Sequence, residues 1–209
     1  EMGVILADIG GGTTDVAIFI DGAVWHTAVL PLGGYQLSND LAIGLRTPYA
    51  VAEEIKTQLG YALVEAVNPD EMVEITGVGA DGTRRIARTQ LCEILQGRSE
   101  EILSLIQMEV KRSGYTGLLP AGIVLTGGSA NLSGLELLAS RYLQAPARVA
   151  WPQGGTGLMD AINDPAYTTS LGLLLWGIKQ GTLQPLSQGQ GEGVRGLFKR
   201  VTFWARELL

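Results

Sequence analysis

The chain has 209 residues, 46% of them hydrophobic and 17% charged, a composition that builds a core and excludes a disordered protein. Its formal charge of −6 excludes the basic footprint of a general nucleic-acid binder. One cysteine, Cys92, and one histidine, His26, leave no intramolecular disulfide and no His/Cys metal cluster, and fit a reducing compartment.

No signal peptide opens the chain, and no apolar run reaches the ~20 residues of a membrane span. Glu1 stands almost directly before an apolar strand pattern with no initiating Met, which suggests a fragment lacking an N-terminal portion. Residues 3 to 30 read as three short strands. GVILAD is apolar, GTTDVAIFI alternates after three glycines, and Asp21-Gly22 is a hairpin signal before AVWHTAVLP. The glycines therefore join antiparallel strands, unlike a Rossmann loop, which opens a helix.

After Gly33-Gly34, Ser38 is expected to cap a helix running to Leu45. Pro48 begins another, TPYAVAEEIKTQLG, which stops at Gly60. Residues 61 to 90 look β-rich, with a turn at Ala80-Asp81-Gly82. From 89 to 113, Leu91, Ile94, Leu95, Ile102, Leu105, Ile106 and Val110 recur at helical spacing, with a pause expected at Gly97. AGIVLTGGSANLSGLELLASRYL reads as strand, glycine turn and helix, and a further apolar helix is expected from about Thr168 to Gly177. Residues 184–193, QPLSQGQGEG, have linker composition.

The motifs with chemistry in them are glycine turns. In ADIGGGTTDVAIF, Gly10, Gly11 and Gly12 let backbone N–H groups approach a phosphate unobstructed, and Thr13 and Thr14 add hydroxyl donors. Asp8 cannot bind an anion directly, but it can hold a hydrated Mg²⁺ or orient water. A glycine-rich β-turn with capping threonines is the plainer alternative. Gly127-Gly128-Ser129 lie between an apolar strand and a helix, where a simple strand-to-helix turn would also suffice. Glu53 and Lys56, three apart on one helical face, could hydrogen-bond a ribose diol or form a solvated ion pair.

The order of these segments is more specific than any one of them. DxGGGTTD, a GGxxxSxD segment from Gly33 to Asp40, AEEIK and VLTGGSANLSGL together resemble the second half of the actin-like ATPase fold. That resemblance implies an α/β domain that binds ATP with Mg²⁺. In such proteins the first loop meets the β- and γ-phosphates, the ExxK pair the ribose, and the TGG turn the adenine and α-phosphate. DIGGGTTDVAIFIDGAVWHTAVLPLGG, TPYAVAEEIKTQLG, AGIVLTGGSANLSGLELLA and TGLMDAINDPAYTTSLGLLLWG are similar, more closely, to the FtsA family of actin-like cell-division proteins. The resemblance runs from about Val4 to Gly177 and resumes in the C-terminal tail.

On its own residues the tail is a basic amphipathic helix behind a flexible linker. With Val194 as origin, Leu197, Phe198, Val201, Trp204, Ala205 and Leu208 share one arc at about 100° per residue. Arg195, Lys199, Arg200 and Arg206 lie off it, and Phe203 breaks the pattern. Such a helix suits an anionic lipid surface, with lysine and arginine at the headgroups; packing on the domain's own core is the alternative.

The resemblance implies a core of residues 1–34 and 116–183, an inserted subdomain at 35–115, a linker at 184–193 and a membrane-targeting helix at 194–209. It further implies a filament subunit that binds the C-terminal peptide of the tubulin-like protein FtsZ, tethers it to the cytoplasmic face of the cell membrane at the division site and recruits other divisome proteins. Similarity of LCEILQGRSEEI to the family's corresponding helix points to Arg98 as the charge partner of that peptide, with Arg88 beside Arg84 and Arg85 in a nearby basic cluster. With only the second half of a two-domain clamp, weak nucleotide binding and no hydrolysis are expected of this chain. A pilus scaffold related to PilM and a small-molecule kinase of the same superfamily are the competing functions.

Overall fold

In a computed structural model, residues 3–78, 82–115, 119–154 and 162–181 are described. Three strands open the chain: β1 (Val4–Ile9), β2 (Thr14–Ile20) and β3 (Ala23–Leu30). They pair antiparallel in sequence, and Asp21 and Gly22 take φ of 50° and 78° at the second turn, as a two-residue hairpin loop requires. β6 (Ile123–Thr126) adds in parallel to the other edge of β1, and β7 (Ala147–Val149) adds in parallel to β6. The sheet order is β3-β2-β1-β6-β7, which makes β1 a central strand and sends its C-terminal end, with that of β6, to one rim. Both glycine turns of the sequence leave from that rim.

Between β3 and β6 the chain makes α1 (Gly34–Gly44), α2 (Tyr49–Leu59), a hairpin of β4 (Met72–Thr76) and β5 (Thr83–Ala87), and the 25-residue α3 (Arg88–Arg112). The expected turn at Ala80-Asp81-Gly82 lies mostly outside the described residues, but the Gly77 N–H reaches the Gly82 carbonyl at 2.8 Å. α4 (Leu135–Leu143) follows β6, and α5 (Thr168–Lys179) closes the described chain. The chain divides into two compact units, Glu1–Leu173 and Leu174–Leu209. In the second, only residues 174–181 are described, and they are mainly the C-terminal part of α5.

One apolar cluster fills the first unit. Ile5, Ala7 and Ile9 of β1 and Val16 of β2 belong to it, together with Leu91, Leu95, Ile102, Leu103 and Ile106 of α3. Those five α3 side chains are 2% exposed or less, and each contributes about 1.5–3 kcal/mol by leaving water. The Arg98–Asp40 and Arg98–Glu101 ion pairs on the same helix are worth about 1 kcal/mol or less apiece. Apolar burial therefore anchors α3, and the ion pairs orient it. Burial also pushes the Cys92 thiol up, which leaves it a packing residue with no activation.

Two sequence expectations are corrected. Ser38 does not cap α1: the helix begins four residues earlier, at Gly34, because the Gln36 side chain accepts the Gly33 N–H at 2.8 Å and supplies half of a capping box. Nor does α3 pause at Gly97, since burial of the flanking turns carries the helix through it. On β3, His26 Nε2 lies 3.3 Å from Glu109 Oε2, and Arg112 holds the other carboxylate oxygen at 2.7 Å. Hydrogen bonds from Arg112 and His26 hold the Glu109 carboxyl below its ordinary value.

Two glycines then behave oppositely. Gly97 is exposed in mid-helix with open space where a Cβ would be, so Gly97→Ala is expected to stabilise the protein by about 0.5–1 kcal/mol. Gly134 has φ +80°, and a Cβ there would stand 2.2 Å from the Tyr61 ring; Gly134→Ala should destabilise by more than about 1 kcal/mol. Urea denaturation of both variants measures the two signs.

Candidate functional site

The β1–β2 connection is a glycine turn closed by the Gly10 N–H on the Thr13 carbonyl at 2.9 Å. Three donors from elsewhere converge on it. The Gly34 N–H donates to the Gly10 carbonyl at 2.9 Å, the Tyr35 N–H to the Gly11 carbonyl at 2.6 Å, and Ser129 Oγ to the Gly10 carbonyl at 2.9 Å. The approach is close enough to require glycine. A Cβ on Gly33 would lie 2.6 Å from the Gly10 carbonyl oxygen, and one on Gly34 would lie 2.6 Å from Ser129 Oγ. Gly11 and Gly12, by contrast, have nothing within 4 Å of a Cβ position. The turn is thus packed on one side and open on the other.

The open side faces a cleft of about 660 Å³, within the range of small-molecule sites. Gly11, Gly12 and Gly34, Glu53 and Lys56 of α2, and Gly128 and Ser129 of the second glycine turn all line it. The Lys56 ammonium donates to Glu53 Oε2 at 2.9 Å and lies 3.4 Å from the Gly34 carbonyl. The buried Ser38 hydroxyl donates to the same Glu53 oxygen. Both bonds fall on Oε2, which leaves Oε1 for a ligand hydroxyl. Burial acts to raise the Glu53 carboxyl, but the bonds from Ser38 and Lys56 outweigh it and hold the group below its ordinary 4.5. It enters the cleft as a carboxylate acceptor.

The remaining expected site residues are placed differently. Gly10 lies beneath the turn as an acceptor rather than on its open face. Gly127, at φ +83°, passes so close to β1 that a Cβ would stand 2.3 Å from Asp8 Oδ1. The Asp8 carboxylate accepts a hydrogen bond from the Thr169 hydroxyl in the first turn of α5. Thr13 points its hydroxyl at Asp15, 3.3 Å away. Thr14 is a correction: its side chain is fully buried and donates to the Leu32 carbonyl at 2.8 Å, so its hydroxyl is not available to a phosphate. Alternation along β2 puts Thr14, Val16 and Ile18 on one buried face, a signal already present in the sequence.

Sequence reasoning stopped at Ser129 and missed further lining residues, Thr57, Asn131, Leu132 and Ser133. It also missed Tyr35 and Tyr49, which line the cleft and stack with ring centroids 5.4 Å apart. Arg98 and Arg88 stand apart from this cleft, on α3. Arg98 Nε donates to Asp40 Oδ2 at 2.6 Å, and Arg98 also pairs with Glu101. Arg88 holds Glu71 at 2.9 Å and the Leu59 carbonyl at 2.8 Å. The tail residues Val194, Leu197, Phe198, Lys199, Arg200, Val201, Trp204 and Leu208 lie outside the described residues.

The chain is similar to known proteins. The family model described as Cell division protein FtsA matches residues 5–172. The chain is 44% identical over 196 residues to the cell division protein FtsA of Pseudomonas aeruginosa, covering 94% of this chain and 46% of that protein. It is 37% identical over 215 residues to that of Escherichia coli K12, covering 100% and 50%. Among solved structures, MreB5 of Spiroplasma citri bound to ADP superposes with a TM-score of 0.66 at 17% identity, covering 90% of this chain and 56% of that one. The chain spans about half the length of the curated relatives it matches.

The Ser38–Glu53–Lys56 arrangement has a pH signature. A carboxyl held below its unfolded value contributes stability that is present above the unfolded pKa and is lost as pH falls through the folded one. The Glu53 carboxyl resonance should therefore titrate below 4.5, and Ser38→Ala should move its midpoint upward. The loss of urea resistance between that unfolded value and the folded one should shrink in the same variant.

Proposed function

The chain belongs to the FtsA family of cell division proteins, and on that premise we propose that its cleft binds ATP as one half of an actin-like clamp. The observation that carries this is the convergence of Gly11-Gly12, the Glu53–Lys56 pair and Gly128-Ser129, from three separate parts of the chain, on one cavity. The backbone of Gly11 and Gly12 offers N–H donors to phosphate oxygens where no side chain intrudes. The free Glu53 oxygen and the Lys56 ammonium face the ribose hydroxyls. That MreB5, of the same fold, carries ADP supports a nucleotide over other ligands of this size.

Mg²⁺ would enter with the phosphates. Among the described residues there is no group of three or more His, Cys, Asp or Glu that could hold a metal, so the cation would be held through phosphate and water. It would supply neutralising charge. Asp8, its carboxylate fixed by Thr169, is the residue to orient such water.

Family membership supports a wider role. The chain is part of a peripheral membrane protein at the cytoplasmic side of the division site, which self-associates into filaments, binds the FtsZ C-terminal peptide and recruits other divisome proteins. Residues 194–209 supply the lipid contact, through the apolar arc of Leu197, Phe198, Val201, Trp204 and Leu208 flanked by Lys199 and Arg200. No described helix is long and apolar enough to cross a membrane. In the FtsZ contact, Arg98 and Arg88 would exchange their present carboxylate partners for those of the peptide.

Gly12→Val tests the cleft, because the position is open and the substitution leaves the packed side of the turn untouched. Wild-type chain titrated with Mg-ADP should show saturable NMR shifts at Gly11, Lys56 and Ser129. The variant should keep its melting temperature and lose those shifts; shifts retained in full would remove the phosphate cradle. The tether has its own test in co-sedimentation with vesicles containing anionic phosphatidylglycerol. Full chain should pellet with them and a chain ending at residue 193 should not, whereas equal sedimentation of the two refutes the tail as lipid anchor.

A further inference from the structure

Two adjacent threonines tie the first turn of α5 to the rim of the sheet, and they do so by bonds of different kinds. Thr168 Oγ1 lies 2.8 Å from Thr126 Oγ1 at the C-terminal end of β6. Thr126 is 2% exposed, and its hydroxyl also lies 3.3 Å from the Pro165 carbonyl oxygen, which accepts the Gly127 N–H at 3.2 Å. Thr169, the next residue, is exposed and donates its hydroxyl to Asp8 Oδ2 near the C-terminal end of β1.

The two bonds differ in what can replace them. Water cannot reach the buried Thr126 hydroxyl, so parting it from Thr168 leaves a polar group unsatisfied. The exposed Thr169 hydroxyl can exchange its bond for one to water at small net loss. The first contact therefore acts as a pivot for α5 and the second as a releasable tie. Asp8 is a carboxylate with reason to change partners. Among the described residues Thr169 is the hydrogen-bond partner of its side chain, and no cation pairs with it. Asp15 stands directly opposite on β2, and like charges placed so repel.

We propose that the Asp8–Thr169 bond is a latch that couples ligand binding at the glycine turns to the first turn of α5. Asp8 gives up Thr169 when its carboxylate turns to the water of a hydrated cation. Its other oxygen offers little alternative, because Oδ1 lies so close to Gly127 that a Cβ there would stand 2.3 Å away. Oδ2 thus serves either the threonine or the cation-borne water. With Thr169 released, the turn moves about the Thr126–Thr168 contact. This rests on the Mg-nucleotide reading of the cleft.

The helix itself reports which tie is broken. In an α-helix each N–H bonds to the carbonyl four residues earlier. The Leu173 amide therefore reads the Thr169 carbonyl, and the Gly172 amide reads that of Thr168. Release of the latch loosens the bond closed by Leu173, whereas the pivot protects the one closed by Gly172. Thr169 is a positioning residue that acts through Asp8.

Amide hydrogen exchange of the 209-residue chain, followed by NMR with and without Mg-ADP, tests the latch, while shifts at Gly11 and Lys56 report occupancy separately. Bound Mg-ADP should speed exchange at Leu173 by about tenfold, the size of one lost hydrogen bond to a charged group, and change Gly172 less. ADP with EDTA, which brings no cation-bound water, should leave Leu173 as it was. Thr169→Val keeps the branched shape without the hydroxyl and should exchange fast at Leu173 with or without ligand. Thr169→Ser should restore the response, which a merely structural role for the side chain would not. Unchanged Leu173 exchange in a wild-type chain whose Gly11 and Lys56 resonances shift overturns the latch and leaves nucleotide binding standing. So does a full response in Thr169→Val, or an equal one with EDTA. Absence of any shift at Gly11 and Lys56 overturns the nucleotide reading and the latch with it.

Discussion

The structure of the site depends on how closely backbone can approach backbone at the β1–β2 turn. Gly34, Tyr35 and Ser129 each donate a hydrogen bond to the carbonyls of Gly10 and Gly11. A Cβ at Gly33 or Gly34 would meet an atom at 2.6 Å, and no rotamer change relieves the backbone contact at Gly33. This contact sets where α1 begins. α1 in turn brings Ser38 to Glu53, and Glu53 is paired with Lys56. A chain of short-range bonds thus connects a turn at residue 10 to the Glu53–Lys56 pair. Ser129 joins the second glycine turn to the same carbonyl, so the two jaws of the cleft share one fixed point.

The sequence made some of this legible because certain local choices have one physical outcome. Asp-Gly between alternating apolar residues gives a hairpin, Pro48 and Gly60 bracket a helix, and three glycines beside β-branched strands give an open turn. It misled where two mechanisms could serve. Serine is a good cap, so Ser38 was the natural start for α1, yet Gln36 capped Gly33 instead and freed Ser38 to be buried against Glu53. Glycine often interrupts a helix, but Gly97 is flanked by the almost fully buried side chains of Leu95 and Ser99, and tertiary packing outweighs a propensity cost of about 1 kcal/mol. Asn131 and Asp164 are 33 residues apart, and no spacing rule joins an asparagine in one turn to an aspartate before a proline.

The arginines of α3 show a different limit. Charge type is visible in sequence, whereas partnership is not. Arg98 and Arg88 are each already paired with carboxylates of the same chain, and burial of Arg98 to 23% side-chain exposure makes that pairing geometric rather than diffuse. An acidic peptide docking there would exchange one carboxylate for another. Such exchange fixes orientation and adds little free energy, so affinity at that face has to come from apolar contact.

The same reasoning applies to the cleft with the opposite result. Among the described residues that line it, Lys56 is the sole cation and Glu53 the sole anion, and they are bonded to each other. Side-chain charge in this half therefore does little to attract a polyphosphate, and the chain as a whole carries −6. Backbone dipoles at the glycine turn can orient phosphates, but neutralising three or four negative charges needs a metal ion or groups outside this chain. What the described lining does supply is directional: a Glu53 carboxylate fixed through one oxygen by Ser38 and Lys56, and an Asn131 amide whose nitrogen is held by Asp164. Under the nucleotide reading these groups would orient the ligand, and the strength of the grip would depend on charge brought from elsewhere.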